Sequence, residues 1–171
     1  MKKQKGFSLI ELLIVVAIIL IIAAIAIPNL LRARISANEA SAVASMRTIV
    51  TAEISYNAAG WTNAAGLPIG FSAAGTDLGG APPCAVPTAT STCYIDPALS
   101  AAFAVATPKS GYTFTYVPTP AAAGGTNIDF ALSSVPASQG QTGNRTFFAD
   151  QSGVIRSVQG PAKATAASPA I

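Results

Sequence analysis

The chain has 171 residues, 51% of them hydrophobic and only 10% charged, and it contains no His. So apolar a composition excludes a disordered polyelectrolyte, and without His the commonest general base and metal ligand at neutral pH is missing. Lys2, Lys3 and Lys5 account for the net charge of +3, leaving residues 7–171 neutral, with no electrostatic footprint for nucleic acid.

The first element is apolar. Leu12 to Ile27 reads LLIVVAIILIIAAIAI, with no charge and no Gly. Extended back to Phe7 it is interrupted only by Ser8 and Glu11. As a helix rising ~1.5 Å per residue, this segment matches the roughly 30 Å hydrocarbon core of a bilayer. It has no polar face, which argues against a helix lying on a membrane surface. The Lys residues ahead of it predict a cytoplasmic N-terminus. Three readings compete: a secretory signal cut after Ala24-Ile25-Ala26, a simple membrane anchor, and an anchor that is also an assembly element. Glu11 favours the third, because a carboxylate in a spanning segment is costly and is usually paired or functional.

The string KGFSLIELLIVVAIILIIAAIAIPN resembles the N-terminus of type IV pilins and of the pseudopilins of type II secretion. A basic leader, MKKQKG, ends in Gly6, Phe7 follows, Glu11 lies four residues on, and the apolar run leads to Pro28 and Asn29. The resemblance implies that a prepilin peptidase cuts between Gly6 and Phe7 and that the new Phe7 amine is N-methylated. The apolar helix would then be retained, whereas a secretory signal would be lost. It further implies that Glu11 faces a cationic amine of a neighbouring subunit and sets register during filament assembly. Pro28 lacks an amide hydrogen and crowds the carbonyl four residues back, so a kink or local loosening is expected near Ala24–Ile27. Arg32 and Arg34 follow as interfacial anchors or contacts to acidic groups in a filament.

Helical pattern continues through residues 30–57, which contain no Gly or Pro. Val43, Met46, Val50 and Ile54 predict a buried stripe, flanked by Ile49 and Tyr56. Asn38, Glu39, Arg47 and Glu53 are assigned to the opposite faces. One helix from about Phe7 to Asn57 is expected, on the order of 75 Å long. Ser36-Ala37-Asn38-Glu39 fits a capping box and leaves a separate second helix as the alternative.

From Gly60 the composition turns to Gly and Pro, and periodicity disappears. Residues 58–111 are too long for a simple connector and predict a structured loop region, with Trp61, Leu67, Ile69 and Phe71 as its attachments. Behind a membrane anchor facing an oxidising compartment, Cys84 and Cys93 read as a disulfide. Its short loop gives a chain-entropy gain of only about 2–3 kcal/mol. Disulfides of the resembled family more often tie down the C-terminal part of the domain, so this position departs from the pattern.

Strand-like alternation follows in Tyr112–Val117, Ile128–Leu132, Arg145–Ala149 and Val154–Val158, with a turn at Asp150-Gln151-Ser152-Gly153. The tail GPAKATAASPAI, from Gly160 to Ile171, reads as flexible and low in complexity. Asp129, Asp150 and Ser152 offer oxygens to calcium, but calcium takes six to eight oxygens and an ordinary Asp-containing turn explains them. The Ser/Thr-rich stretch 88–92 and Asn144-Arg145-Thr146 carry only weak glycosylation signals.

The expected fold is α+β: a long N-terminal helix packed on a C-terminal antiparallel sheet. The expected divisions are leader 1–6, membrane and filament-core half-helix 7–27, amphipathic half-helix 28–57, loop region 58–111, sheet 112–159 and tail 160–171. No catalytic residue, cofactor or metal is expected. The leading function is a structural subunit of a type IV pilus, with a secretion pseudopilin or minor pilin as the near alternative. A secreted soluble binding domain is the alternative from a different class. The implied partners are further copies in a homo-oligomeric filament, the prepilin peptidase, the assembly platform with its ATPase, and the membrane. The implied location is the inner membrane before assembly, then an extracellular pilus or periplasmic pseudopilus.

Overall fold

The computed structural model describes residues 8–80, 84, 86–104, 107–120 and 125–171. The chain divides into two units, Met1–Arg34 and Ile35–Ile171. One helix, α1 (Leu9–Ala58), belongs to both. The alternative of a separate second helix is therefore set aside: Ser36 and Glu39 lie inside α1, and Glu39 is buried rather than capping.

In the second unit, α1 buries Glu39, Ala42, Met46, Ile49, Glu53 and Tyr56. The spacing of three and four residues keeps them on one side of the helix. This face is turned by roughly a quarter of a revolution from the expected stripe. Met46 and Val50 are buried and Val43 is partly so, but Ile54 is exposed. The displacement has a simple cause: two acids occupy the buried arc, and each finds hydrogen-bond donors there.

Four strands form an antiparallel meander in the order β1 (Tyr112–Pro120), β2 (Asn127–Pro136), β3 (Arg145–Asp150) and β4 (Arg156–Gln159). Register places Tyr116 opposite Leu132 and Leu132 opposite Ala149. The period of two then sends Tyr112, Phe114, Phe130, Leu132, Phe147 and Ala149 to the inner face. There they join the buried residues of α1 in one core. Tyr116 stacks on Phe130, and Phe71 meets Phe130 edge-on. Gly143 passes so close to Tyr112 that a Cβ would sit 1.9 Å from the phenolic oxygen, which explains the Gly at this position.

The loop region contributes more to the core than expected. Phe71, Leu78, Ile95, Leu99 and Ala102 are buried in it, and Trp61 and Ile69 pack against it. Leu67, expected as an attachment, is 53% exposed. A short helix, α2 (Pro97–Ala101), starts at Asp96, whose Oδ1 accepts from the Leu99 amide at 2.9 Å. Cys84 and Cys93 are joined as expected. The loop they close is pinned to the end of α1, where the Tyr56 hydroxyl donates to the Ala89 carbonyl at 2.8 Å. Burial pushes the Tyr56 phenol up to about 12, so it stays a donor.

The tail is docked, whereas its composition predicts flexibility. Thr146 Oγ donates to the Ala162 carbonyl and accepts from the Ala164 amide, and Ala164 is buried. Further on, the Ser157 amide donates to the Pro169 carbonyl at 2.9 Å and the Ile171 amide to the Ile155 carbonyl at 3.0 Å. Low complexity misleads here because the partners are a distant hydroxyl and a strand edge, which accept small residues.

Candidate functional site

The first unit holds the segment singled out by its chemistry. Every Leu, Ile and Val from Leu9 to Leu31 is exposed, from 47% at Val16 to 80% at Leu9. Leaving such side chains in water forgoes about 1.5–3 kcal/mol each relative to full burial. The helix is long and apolar enough to cross a membrane. No face of it is polar, a surface that fits a bilayer or a packing of other apolar helices.

Ser8 and Glu11 open this segment. The Ser8 amide donates to Glu11 Oε2 at 2.9 Å, and the Ser8 carbonyl accepts from the Leu12 amide at 3.3 Å. This is one arm of a capping box, readable as S-x-x-E in the sequence. It uses one carboxylate oxygen and is the one hydrogen bond of Glu11 among the described residues. Gly6 and Phe7, the expected cleavage and methylation positions, lie outside the described residues. Pro28 sits within α1, which continues through it. Arg32 and Arg34 are exposed, and neither enters an ion pair among the described residues.

In the second unit, two acids missed as structural groups hold the unit together. Glu39 Oε1 accepts from the Asn144 amide at 2.8 Å and the Arg145 amide at 3.2 Å, while Oε2 accepts from Arg145 Nε at 2.7 Å. The Arg145 guanidinium also lies over the Phe147 ring at 5.5 Å. Asn38, one residue earlier, donates through Nδ2 to the Thr142 carbonyl at 2.9 Å. α1 thus grips the chain at Thr142, Asn144 and Arg145, just before and at the start of β3.

Glu53 is fully buried with no cation beside it. It accepts from the Ser72 amide at 3.0 Å and from Ser72 Oγ at 2.5 Å. Burial holds its carboxyl above the ordinary range, opposed by the two Ser72 hydrogen bonds and reinforced by Asp77. Asp77 is itself raised by burial. A folded-state value above the unfolded one means that the folded chain binds the proton more tightly. Stability is therefore greatest below the unfolded value and falls as pH rises toward the folded one. Glu53→Gln keeps an acceptor for the Ser72 amide and removes the titration. Urea midpoints between about pH 4 and 7 should fall with rising pH in the parent and be flatter in the variant. Parallel profiles would show that Glu53 is not the group responsible.

Asp129 and Asp150, weighed for calcium, serve turns. Asp129 Oδ1 accepts from the Phe130 and Gln151 amides, and Asp150 Oδ1 from the Ser152 amide and hydroxyl. Among the described residues no group of three or more His, Cys, Asp or Glu could hold a metal ion.

Comparison with known proteins bears on the apolar segment. Residues 1–27 match the family model described as the prokaryotic N-terminal methylation motif. The chain is 52% identical over 56 residues to the "Type IV wide pilus major component PilA4" of Thermus thermophilus, covering 33% of this chain and 43% of that protein. It is 44% identical over 54 residues to the "Type IV major pilin protein PilA" of Myxococcus xanthus, covering 32% of this chain and 24% of that protein. These matches support the type IV pilin family. They cover about a third of this chain and less than half of either pilin. No solved structure matches. The pilin-like arrangement of long helix and four-stranded antiparallel sheet therefore stands on the elements described above.

Proposed function

We propose that the chain is the structural subunit of a type IV pilus, made as a prepilin and assembled through its N-terminal helix. The observation that carries this is α1 itself. Its first part exposes an all-round aliphatic surface and bears the methylation motif, and its last part is built into a folded unit. One helix of this kind serves first as a membrane anchor and then as filament core, because lipid and packed apolar helices satisfy the same surface.

In this reading a prepilin peptidase removes Met1–Gly6 and methylates the Phe7 amine. The anchored subunit sits in the inner membrane with its N-terminus cytoplasmic and its second unit outside. Glu11 offers its remaining carboxylate oxygen to the amine of a neighbouring copy, an ion pair formed where water is scarce. Pro28 allows α1 to loosen near Ala24–Ile27 when copies pack. An assembly platform and its ATPase supply the work of extrusion, and the mature filament is extracellular. The role is structural rather than catalytic.

The test is mass spectrometry of the mature N-terminus combined with imaging of sheared surface filaments. The expected result is an N-methylated chain beginning at Phe7, recovered as the dominant component of filaments. A chain beginning at Ile27 and freely soluble would overturn the proposal.

A further inference from the structure

The two edges of the sheet are closed by different means. Along β1, the Phe114 amide donates to the Ala102 carbonyl, away from β2. Up to the register shift after Thr119, the even-numbered residues of β1 therefore turn their backbone groups outward, and there Pro118 has no amide to offer. That edge is blunted by its own sequence. β4 and the residue before it, Ile155-Arg156-Ser157-Val158-Gln159, contain no Pro and no Gly. The Ser157 amide and the Ile155 carbonyl, which point away from β3, are taken by Pro169 and Ile171. Closure of this edge depends on the docked tail.

The tail is held lightly. Of residues 160–171 only Ala164 and Ser168 are buried, and both are small. Its other attachments are hydrogen bonds from Thr146, Arg156 and the β4 backbone. It leaves β4 at Gly160, whose φ is +96° and whose Cβ position faces open space. The β4 edge is thus free of Pro and closed by a segment of low burial that begins at a glycine.

We propose that residues 160–171 form a releasable edge cap, and that the β4 edge beneath it pairs antiparallel with β4 of a second copy when the cap is displaced. Symmetry supports this occupant. Pairing about Ser157 would place Arg156 opposite Val158 of the partner, so that no like charges face each other and the outward backbone groups of Ser157 and Ile155 find new partners. The capped state keeps copies from joining edge to edge while they are crowded together. The inference does not depend on the pilus assignment.

The experiment uses the full chain in detergent micelles. Ala164→Glu places a charge at a buried site and should release the cap. Hydrogen exchange over residues 161–171, whose Ala164 and Ile171 amides are held in the docked tail, should then be about tenfold faster or more, and sedimentation should show a shift toward dimer relative to the parent. Adding Ser157→Pro, which removes the outward amide, should return the size to that of the parent while exchange stays fast. Ile171→Pro, which removes one cap hydrogen bond, is a milder release, and retained protection of residues 42–56 identifies variants that are still folded. Fast exchange without added association would overturn the proposal. So would unchanged exchange, or association that survives Ser157→Pro.

Discussion

Glu39→Ala is expected to destabilise the Ile35–Ile171 unit by roughly 2–4 kcal/mol. The loss has two parts. The Asn144 and Arg145 amides lose the Oε1 that accepts from both; a fully buried donor left without a partner costs about 1–3 kcal/mol, and these part-buried amides fall toward the lower end. Arg145 also loses its carboxylate. Its side chain is 40% exposed, so water restores part of that interaction and the figure stays below the value for a fully buried pair. Glu39→Gln keeps one acceptor and should fall between parent and Ala. Urea unfolding of the full chain in detergent, followed through the fluorescence of the single Trp61, provides the measurement. A loss under about 0.5 kcal/mol would mean that solvent replaces all three bonds.

Glu11→Ala should abolish filaments while leaving the chain in the membrane. At ~4 Å an ion pair is worth about 1 kcal/mol in water and about 4 kcal/mol at the effective dielectric of a protein surface. That corresponds to roughly fivefold to a thousandfold in the equilibrium for adding one subunit, and the factor recurs at every addition. Removing the carboxylate leaves the apolar surface of Leu9–Leu31 intact, so membrane retention should be unchanged. Electron micrographs of sheared filaments, set against immunoblots of the membrane fraction, separate the two effects. Filaments at parental abundance would remove any role for the pairing.

The elements with a local period could be read from the sequence. The aliphatic run, the continuation of α1 to its end and the four strands each repeat a pattern over a few residues. What escaped depends on partners far along the chain. Glu39 and Glu53 look like solvent-facing acids until Asn144, Arg145 and Ser72 are brought to them. The signal was present in a weak form, as two acids in step with Ala42, Met46, Ile49 and Tyr56 at spacings of three and four. The tail escaped for the same reason, because nothing in GPAKATAASPAI points to the Thr146 hydroxyl. Of the expected functional positions, Glu11 and Pro28 gain a structural setting, and Cys84 and Cys93 are joined. Gly6 and Phe7 lie outside the described residues and stand as proposed positions.

The grip of Glu39 on Arg145 spans 106 positions, and this fixes the order of events at biosynthesis. At about 5–20 residues per second, a ribosome needs several seconds more to deliver β3 after Glu39 has been made. Through that interval the translated α1 has its apolar half ready for the bilayer, while the acids of its other half wait without their donors. The second unit therefore closes only after the apolar half of α1 has long been made.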